Sequence, residues 1–350
     1  MTMHNICFAI PGDLNSLTGG YGYDRRLLAE LQQLQVPIRY HALSAGFPQP
    51  DHDDLTGTDR WLGSLPDSSI VLVDGLAFGV MDELAIKHSQ RLHLVALCHH
   101  PLALESGLDA GLQAKLQQSE QRALAAAKAV IVTSTRTAQL LTEQFGVPGS
   151  HITVALPGTD RRGHAVCNGD PPRLLTVASL TRRKAHDVLI TALSQLQHLR
   201  WQAVFVGGGN FDPAWAAQLQ QQVQNFGLQQ RIAFVGAKTD LHADYMGADI
   251  FVLPSLFEGY GMAFAEALSY GLPVIAAHAG AVPDVVPDTA GILVEPGNVD
   301  ALRAALQLVL TDAGLRQRLQ AGAQTAALQL PTWEQTALCV REALMRIAGI

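Results

Sequence analysis

Cysteine, long apolar runs and charge are all scarce in this 350-residue sequence, and each shortage closes off a class of protein. The four cysteines, Cys7, Cys98, Cys167 and Cys339, are scattered without a CxxC pair, which argues against a zinc site and a secreted disulfide framework. Apolar runs such as residues 69–77 and 92–98 fall far short of the roughly 20 residues that a membrane span needs. The N-terminus opens on a strand-like segment rather than a targeting signal, so the expectation is a soluble, cytoplasmic protein. A formal net charge of -7 leaves no global positive field for a nucleic acid backbone, and no nucleic-acid partner is expected. Among 13 histidines only His99 and His100 are adjacent. Neighbours in a strand point to opposite faces, so they do not chelate and no metal is expected. A serine nucleophile elbow, a Cys–His arrangement and a Walker lysine loop are likewise missing.

Present instead are 48% hydrophobic residues and 31 glycines, a composition that suits a well-buried α/β protein with tight βα turns. The length exceeds what one core usually serves and predicts two domains. Strand-like runs at residues 5–10, 38–43, 69–77, 92–98, 129–134 and 152–156 alternate with helix-length segments. A break rich in glycine, proline and charge covers residues 157–172 and reads as a linker. The rhythm restarts at 173–179, 202–207, 232–236, 249–254, 273–277 and 291–294. Repeated βαβ units of this kind predict two doubly wound domains facing a cleft, with ligands beyond the carboxyl ends of the strands.

The most informative segment follows the run at 249–254. Glu258-Gly259-Tyr260-Gly261-Met262-Ala263 leads into a helix that carries Glu266 and stops at Gly271 and Pro273. Gly259 and Gly261 permit close backbone approach, and the first amides of the helix, near Met262 and Ala263, form an anion site suited to a diphosphate. Glu266, one turn beyond Met262, is placed to accept hydrogen bonds from ribose hydroxyls. Glu258, before the turn, is placed to accept them from the transferred sugar and to support positive charge developing at its anomeric carbon. A carboxylate repels a diphosphate, so both glutamates should meet neutral hydroxyls.

The E-x7-E spacing from Glu258 to Glu266, with Pro254-Ser255 before it and Leu268-Ser-Tyr-Gly-Leu-Pro-Val274 after it, resembles the retaining glycosyltransferases of family 4 (group 1). The resemblance runs over nearly all of the chain. It implies the GT-B fold of two Rossmann-like domains, a nucleoside diphosphate sugar as donor, retention of anomeric configuration, and neither metal nor cofactor. Arg183 and Lys184 match the family's arginine-lysine-glycine clamp on the leaving diphosphate. Ala185 stands in place of the usual glycine, and Ser179 stands where many members carry arginine. Gly208 falls in a glycine-rich loop of the family, where a plain turn fits equally well, and Val235-Gly236 falls in the segment that borders the nucleotide base. Gly19 and Gly20 match a flexible glycine-glycine loop under the donor phosphates and beside the acceptor. His99 takes the family's strand-end histidine and His100 a position often held by aspartate.

The resulting expectation is an acceptor-side domain over residues 1–160 and a donor domain over 161–331. A C-terminal helix over 332–350, opened by Pro331-Thr332-Trp333-Glu334, either rejoins the first domain or forms a simple core helix. The catalytic set expected is His99, Lys184, Arg183 and Glu258. The acceptor is expected to be a glycan, lipid or small molecule, with peripheral membrane contact left open. A nucleotide-sugar epimerase and a non-catalytic sugar-nucleotide binder are the competing readings.

Overall fold

The computed structural model describes residues 6–105 and 107–349. Asn5 and Ile350, the outer ends of the first predicted strand and the last predicted helix, lie outside them. The chain divides into two compact units, Met1–Gly158 with Pro331–Ile350, and Thr159–Leu330.

The first unit carries β1 (Ile6–Pro11), β2 (Ile38–Leu43), β3 (Ile70–Asp74), β4 (His93–Cys98), β5 (Ala129–Val132) and β6 (Ile152–Val154). They form one sheet in the order β2-β1-β3-β4-β5-β6, parallel at every pairing. All residues of β1 and β3 are buried. Both faces of the sheet are therefore covered, which is why these strands read as unbroken apolar runs. Phe78, Leu94 and Leu141 lie in the core, and burying a side chain of that size stabilises by roughly 1.5–3 kcal/mol.

The second unit carries β7 (Arg173–Val177), β8 (Gln202–Val206), β9 (Ile232–Phe234), β10 (Ile250–Leu253), β11 (Val274–Ala277) and β12 (Gly291–Val294), ordered β12-β11-β10-β7-β8-β9 and again all parallel. Trp201, Phe205 and Leu193 fill one side of this sheet, and Phe251, Phe264 and Tyr245 fill the other. Strand order reverses between β1 and β3 in the first unit and between β7 and β10 in the second. Crevices for ligands open at such reversals, beyond the carboxyl ends of the two strands involved.

Each predicted strand is present, and several end sooner than their apolar runs because a polar residue caps the next helix. Asp74 accepts the Leu76 amide at 2.9 Å and starts the helix Gly75–Phe78, so β3 stops well short of Ala77. Ser134 accepts the Thr137 amide at 2.9 Å and turns the end of the next run into the cap of Thr135–Phe145.

Much of the expected linker is anchored rather than free. The Ala165 amide donates to the Tyr270 carbonyl at 2.8 Å, and Asp249 accepts the amides of Gly169 and Arg173 at 2.8 and 2.7 Å. Residues 159–172 lack apolar periodicity because their polar groups are satisfied by single side chains and loop carbonyls instead of by a ladder. At the other end Thr332 and Gln335 form a capping box that opens the helix Trp333–Ala348. Trp333 packs edge-on to Tyr23 with ring centroids 5.7 Å apart. A Cβ on Gly158 would lie 2.3 Å from the Trp333 amide nitrogen, so only glycine fits where the chain passes this helix.

Candidate active site

In the second unit the loops after β7 and β10 meet at the strand-order reversal. Residues Arg182–Lys184 form a 3-10 turn after β7. The Leu256 amide donates to the Arg183 carbonyl at 2.8 Å, and Arg183 Nη1 donates to the Phe257 carbonyl at 2.8 Å. These bonds hold the two loops in register and bring three charges together. Lys184 Nζ lies 2.7 Å from Glu258 Oε1, and Arg183 Nη1 lies 3.5 Å from Glu258 Oε2. Glu258 is 5% exposed. Burial pushes its carboxyl up, but Lys184 and Arg183 together pull it below its ordinary value, so it is an anion at neutral pH. Ala185, in place of the family's glycine, adopts the left-handed conformation (φ 51°, ψ 41°) that glycine favours.

Gly261 has φ 95° and begins the helix Met262–Ser269 with no side-chain cap. The amides of Met262 and Ala263 therefore remain available at the positive end of the helix. A Cβ on Gly261 would lie 2.5 Å from the Phe264 ring, and φ is positive, so this glycine is required locally. One turn on, Glu266 is half-buried and its Oε2 accepts the Tyr245 hydroxyl at 2.8 Å. Burial pushes its carboxyl up, against the pull of that bond. Gly207 and Gly236 join the loops after β8 and β9, with the Gly207 amide donating to the Gly236 carbonyl at 2.9 Å. Gly208 accepts the Leu180 amide at 2.9 Å, and Val235 is 40% exposed beside Gly236.

Sequence reasoning overlooked one support of this site. The loop after β11 presses Gly280 onto the Glu258 backbone, where a Cβ would lie 2.1 Å from the Glu258 carbonyl oxygen, and Ala281 donates its amide to that oxygen at 3.0 Å. The signal available was a glycine shortly past a buried strand end.

The first unit has a different centre. Gly19 and Gly20 are not in a flexible loop: they open the helix Gly19–Gln33, whose N-cap is Thr18, and the Gly22 amide donates to the Thr18 carbonyl at 2.9 Å. A threonine cap together with a buried face of Tyr23, Leu27 and Leu31 outweighs the poor helix propensity of three glycines. Gly20 lies beside His99, since a Cβ there would stand 3.5 Å from the imidazole Cδ2. His99 Nε2 lies 3.0 Å from Asp24 Oδ1 and 3.5 Å from Asp74 Oδ2, and Tyr23 packs edge-on to the ring at 5.1 Å. Burial favours the neutral ring, but the two aspartates outweigh it and His99 titrates above its ordinary value. Burial and the charge of Asp24 push Asp74 up to about 7.

Residue spacing points to neither aspartate, although Asp74 ends a buried strand just as His99 follows one. Among the described residues, Asp24, Asp74 and His99 are the group whose ligand atoms all lie within 4.8 Å, close enough to share one cation, and only the fold brings them together.

The family description "Glycosyl transferases group 1" matches residues 160–326, and "Glycosyltransferase Family 4" matches residues 21–162. A D-inositol 3-phosphate glycosyltransferase of Mycobacterium marinum is 27% identical over 91% of this chain and 70% of its own length. One from Xylanimonas cellulosilytica is 29% identical over 62% of this chain, which spans only 57% of that relative. Among solved structures, sucrose-phosphate synthase from Thermosynechococcus elongatus superposes with a TM-score of 0.83 at 21% identity, covering 99% of this chain and 100% of that one. With two family descriptions meeting at the boundary between its two parallel sheets, the chain belongs to the group 1, family 4 glycosyltransferases of GT-B fold.

Proposed function

We propose that the protein transfers a sugar from a nucleoside diphosphate sugar to an acceptor hydroxyl, with retention of configuration and without a metal ion. The observation that carries this reading is the buried Glu258 carboxylate held by the half-buried cations Lys184 and Arg183, beside the uncapped start of the helix Met262–Ser269. Cations and helix amides converge on one point where an oxyanion gains charge, which is how a leaving diphosphate is stabilised. The bond from the anomeric carbon to the diphosphate oxygen breaks, the acceptor oxygen bonds to that carbon from the same face, and the acceptor proton leaves with the diphosphate.

In this reading Lys184 and Arg183 neutralise the leaving group, and the amides of Gly259, Gly261, Met262 and Ala263 bind its phosphates. Glu258 orients Lys184 and accepts from sugar hydroxyls, Glu266 accepts from the ribose, and Gly208, Val235 and Gly236 border the base. Gly19, Gly20 and His99 form the acceptor-side group of the first unit. The acceptor class is a glycan, a lipid or a small molecule. The location in this reading is cytoplasmic, with peripheral membrane contact left open; among the described residues no helix is long and apolar enough to cross a membrane.

The test is incubation with a panel of nucleoside diphosphate sugars and acceptors, following free diphosphate and the anomeric configuration of the product by NMR, with and without EDTA. Acceptor-dependent release of diphosphate, insensitive to EDTA and giving a retained anomer, is the expected result. An inverted product removes the same-face step, EDTA inhibition removes metal independence, and an isomerised sugar formed without acceptor replaces transfer with epimerisation. Tight binding with no turnover leaves only a sensor.

A further inference from the structure

The first unit buries more carboxylate than the roles above use. Asp24 and Asp74 are 1% and 2% exposed, and they reach His99 from separate elements, the helix Gly19–Gln33 and the end of β3. Both approach the same ring nitrogen, Nε2. The second Asp24 oxygen, Oδ2, is buried with no hydrogen-bond partner among the described residues. A buried acceptor without a donor is costly, and a proton on Asp74, whose carboxyl shares a hydrogen bond with Asp24, supplies one.

Two carboxylates in one dry site cannot both stay ionised without a counter-charge. The ring supplies one positive charge and a proton on Asp74 removes the other excess. Of the carboxyl groups it is Asp74 whose raised pKa lets it take that proton, while the ring of His99 is favoured in its charged form. Once Nε2–H is committed to Asp24, the ring's remaining donor is Nδ1–H. The other titratable groups around the network, Tyr21 near the two aspartates, Tyr23 against the ring and Cys98 next to His99 in sequence, are all pushed up by burial and stay neutral near pH 7.

We propose that Asp24 is the positioning residue of His99: it fixes Nε2–H inward and keeps the ring cationic, so that Nδ1–H is presented as a charged donor to a substrate oxygen. Asp74 is the second carboxyl of the same network, and its proton sets the charge around the ring. The inference rests on the transferase reading for the identity of that oxygen, whereas the Asp24–His99 coupling does not depend on it.

The test is an NMR titration of the His99 ring in the full chain without substrate, paired with pH profiles of kcat/KM for transfer. Wild-type His99 should titrate above about 6.5, with an inflection from Asp74 near 7 that disappears in Asp74→Asn. Asp24→Asn should lower the ring midpoint by about one pH unit or more. The same substitution should cut kcat/KM about 10–100-fold while leaving nucleotide affinity within about twofold, the signature of lost alignment rather than lost binding. Asp24→Glu should recover part of both.

An unchanged midpoint in Asp24→Asn, or full activity, overturns the proposal. If Asp24→Asn fails to fold, a wild-type ring that titrates below about 6.5 does so. A ring titration that EDTA alters also overturns it, replacing the proton network with a cation site. A shifted midpoint in a protein that transfers no sugar sinks the transferase reading and keeps the coupling.

Discussion

Both units set a buried carboxyl group at or just beyond the end of a central strand, and they neutralise it in opposite ways. In the second unit Glu258 meets Lys184 and Arg183, cations that hold their charge across the whole physiological range. In the first unit the cation beside Asp74 and Asp24 is a histidine, His99, and Glu120 accepts the amides of Leu102 and Ala103 at 2.7 and 2.8 Å with no cation in its described ion pairs. Glu258 is accordingly held below its usual range, while Asp74 and Glu120 are pushed up to about 7. Charge at Glu258 in the second unit is fixed by ion pairing, whereas charge around His99 in the first is set by protons. Similar sheets can thus carry a permanently charged cluster and a titrating one.

The sharpest way to break that contrast is Lys184→Ala. It removes the cation nearest Glu258 and leaves Arg183, 3.5 Å away, to compensate the carboxylate. Turnover at saturating donor should fall about 10²–10³-fold, the usual cost of losing one group that stabilises a leaving oxyanion. Melting should show a stability loss too, because Glu258 stays buried with half its pairing gone. Unchanged diphosphate release would detach the cluster from the chemistry.

Next in size is the proton dependence of the first unit. A carboxyl whose folded pKa is raised contributes stability that is fully present below its unfolded value and is lost as pH rises through the folded one. For Glu120 that window runs from its ordinary value of 4.5 to about 7. Its share is on the order of 3 kcal/mol. Urea melts should show wild type losing stability between about pH 4.5 and 7 relative to Glu120→Gln, in which that slope is missing. Glu258 works the other way: its contribution is present above its unfolded value and is lost only as pH falls through its lowered one. Parallel curves for wild type and Glu120→Gln would remove the first half of the comparison.

The same contrast explains what was legible in the sequence. The loop after β10 could be read because its parts are contiguous: strand, two glycines, helix start and glutamate all fall between Ile250 and Glu266. Arg183 and Lys184 were also readable, through their match to the family's arginine-lysine-glycine segment. The pairing of Lys184 with Glu258 was not, since it spans 74 residues and local periodicity says nothing about it. In the first unit His99 showed itself at the end of an apolar run, but its partners stand alone in sequence. Asp24 lies 75 residues away within a helix that opens on glycines, and Asp74 looked like the middle of a longer strand. Gly19 and Gly20 were read as loop because propensity spoke against helix and tertiary packing overrode it. Residue types announce local chemistry, and networks closed by the fold stay hidden until distant strands are placed side by side.

Gly280 gives a smaller and purely geometric test of the ion-paired side. Alanine there would need φ near 59° and would drive its Cβ to within 2.1 Å of the Glu258 carbonyl oxygen. Gly280→Ala should cost about 2 kcal/mol through strain and displaced backbone. It should also lower turnover by moving Glu258 and Lys184 together. Normal activity with a lowered Tm would mean that the pair tolerates a shifted loop.

The smallest effect tests whether the second unit is uniform in its permanent charge, and it concerns Glu266. This carboxyl has no cation within salt-bridge distance among the described ion pairs; Tyr245 donates to Oε2, and burial pushes the group up instead of down. A ribose hydroxyl bonded to the other oxygen is worth about 1.4 kcal/mol, so Glu266→Ala should weaken nucleoside diphosphate binding about tenfold by calorimetry. Because the raised carboxyl gains its proton as pH falls, wild-type affinity should decline on acidification while the alanine variant stays flat. Glu266→Gln separates binding from packing. It keeps an acceptor for the Tyr245 hydroxyl and hence most of the Tm, yet lacks the negative charge that strengthens the ribose bond, so its affinity should lie between the other two. Equal affinity in all three proteins would reduce Glu266 to an anchor for Tyr245 and leave ribose recognition to the backbone.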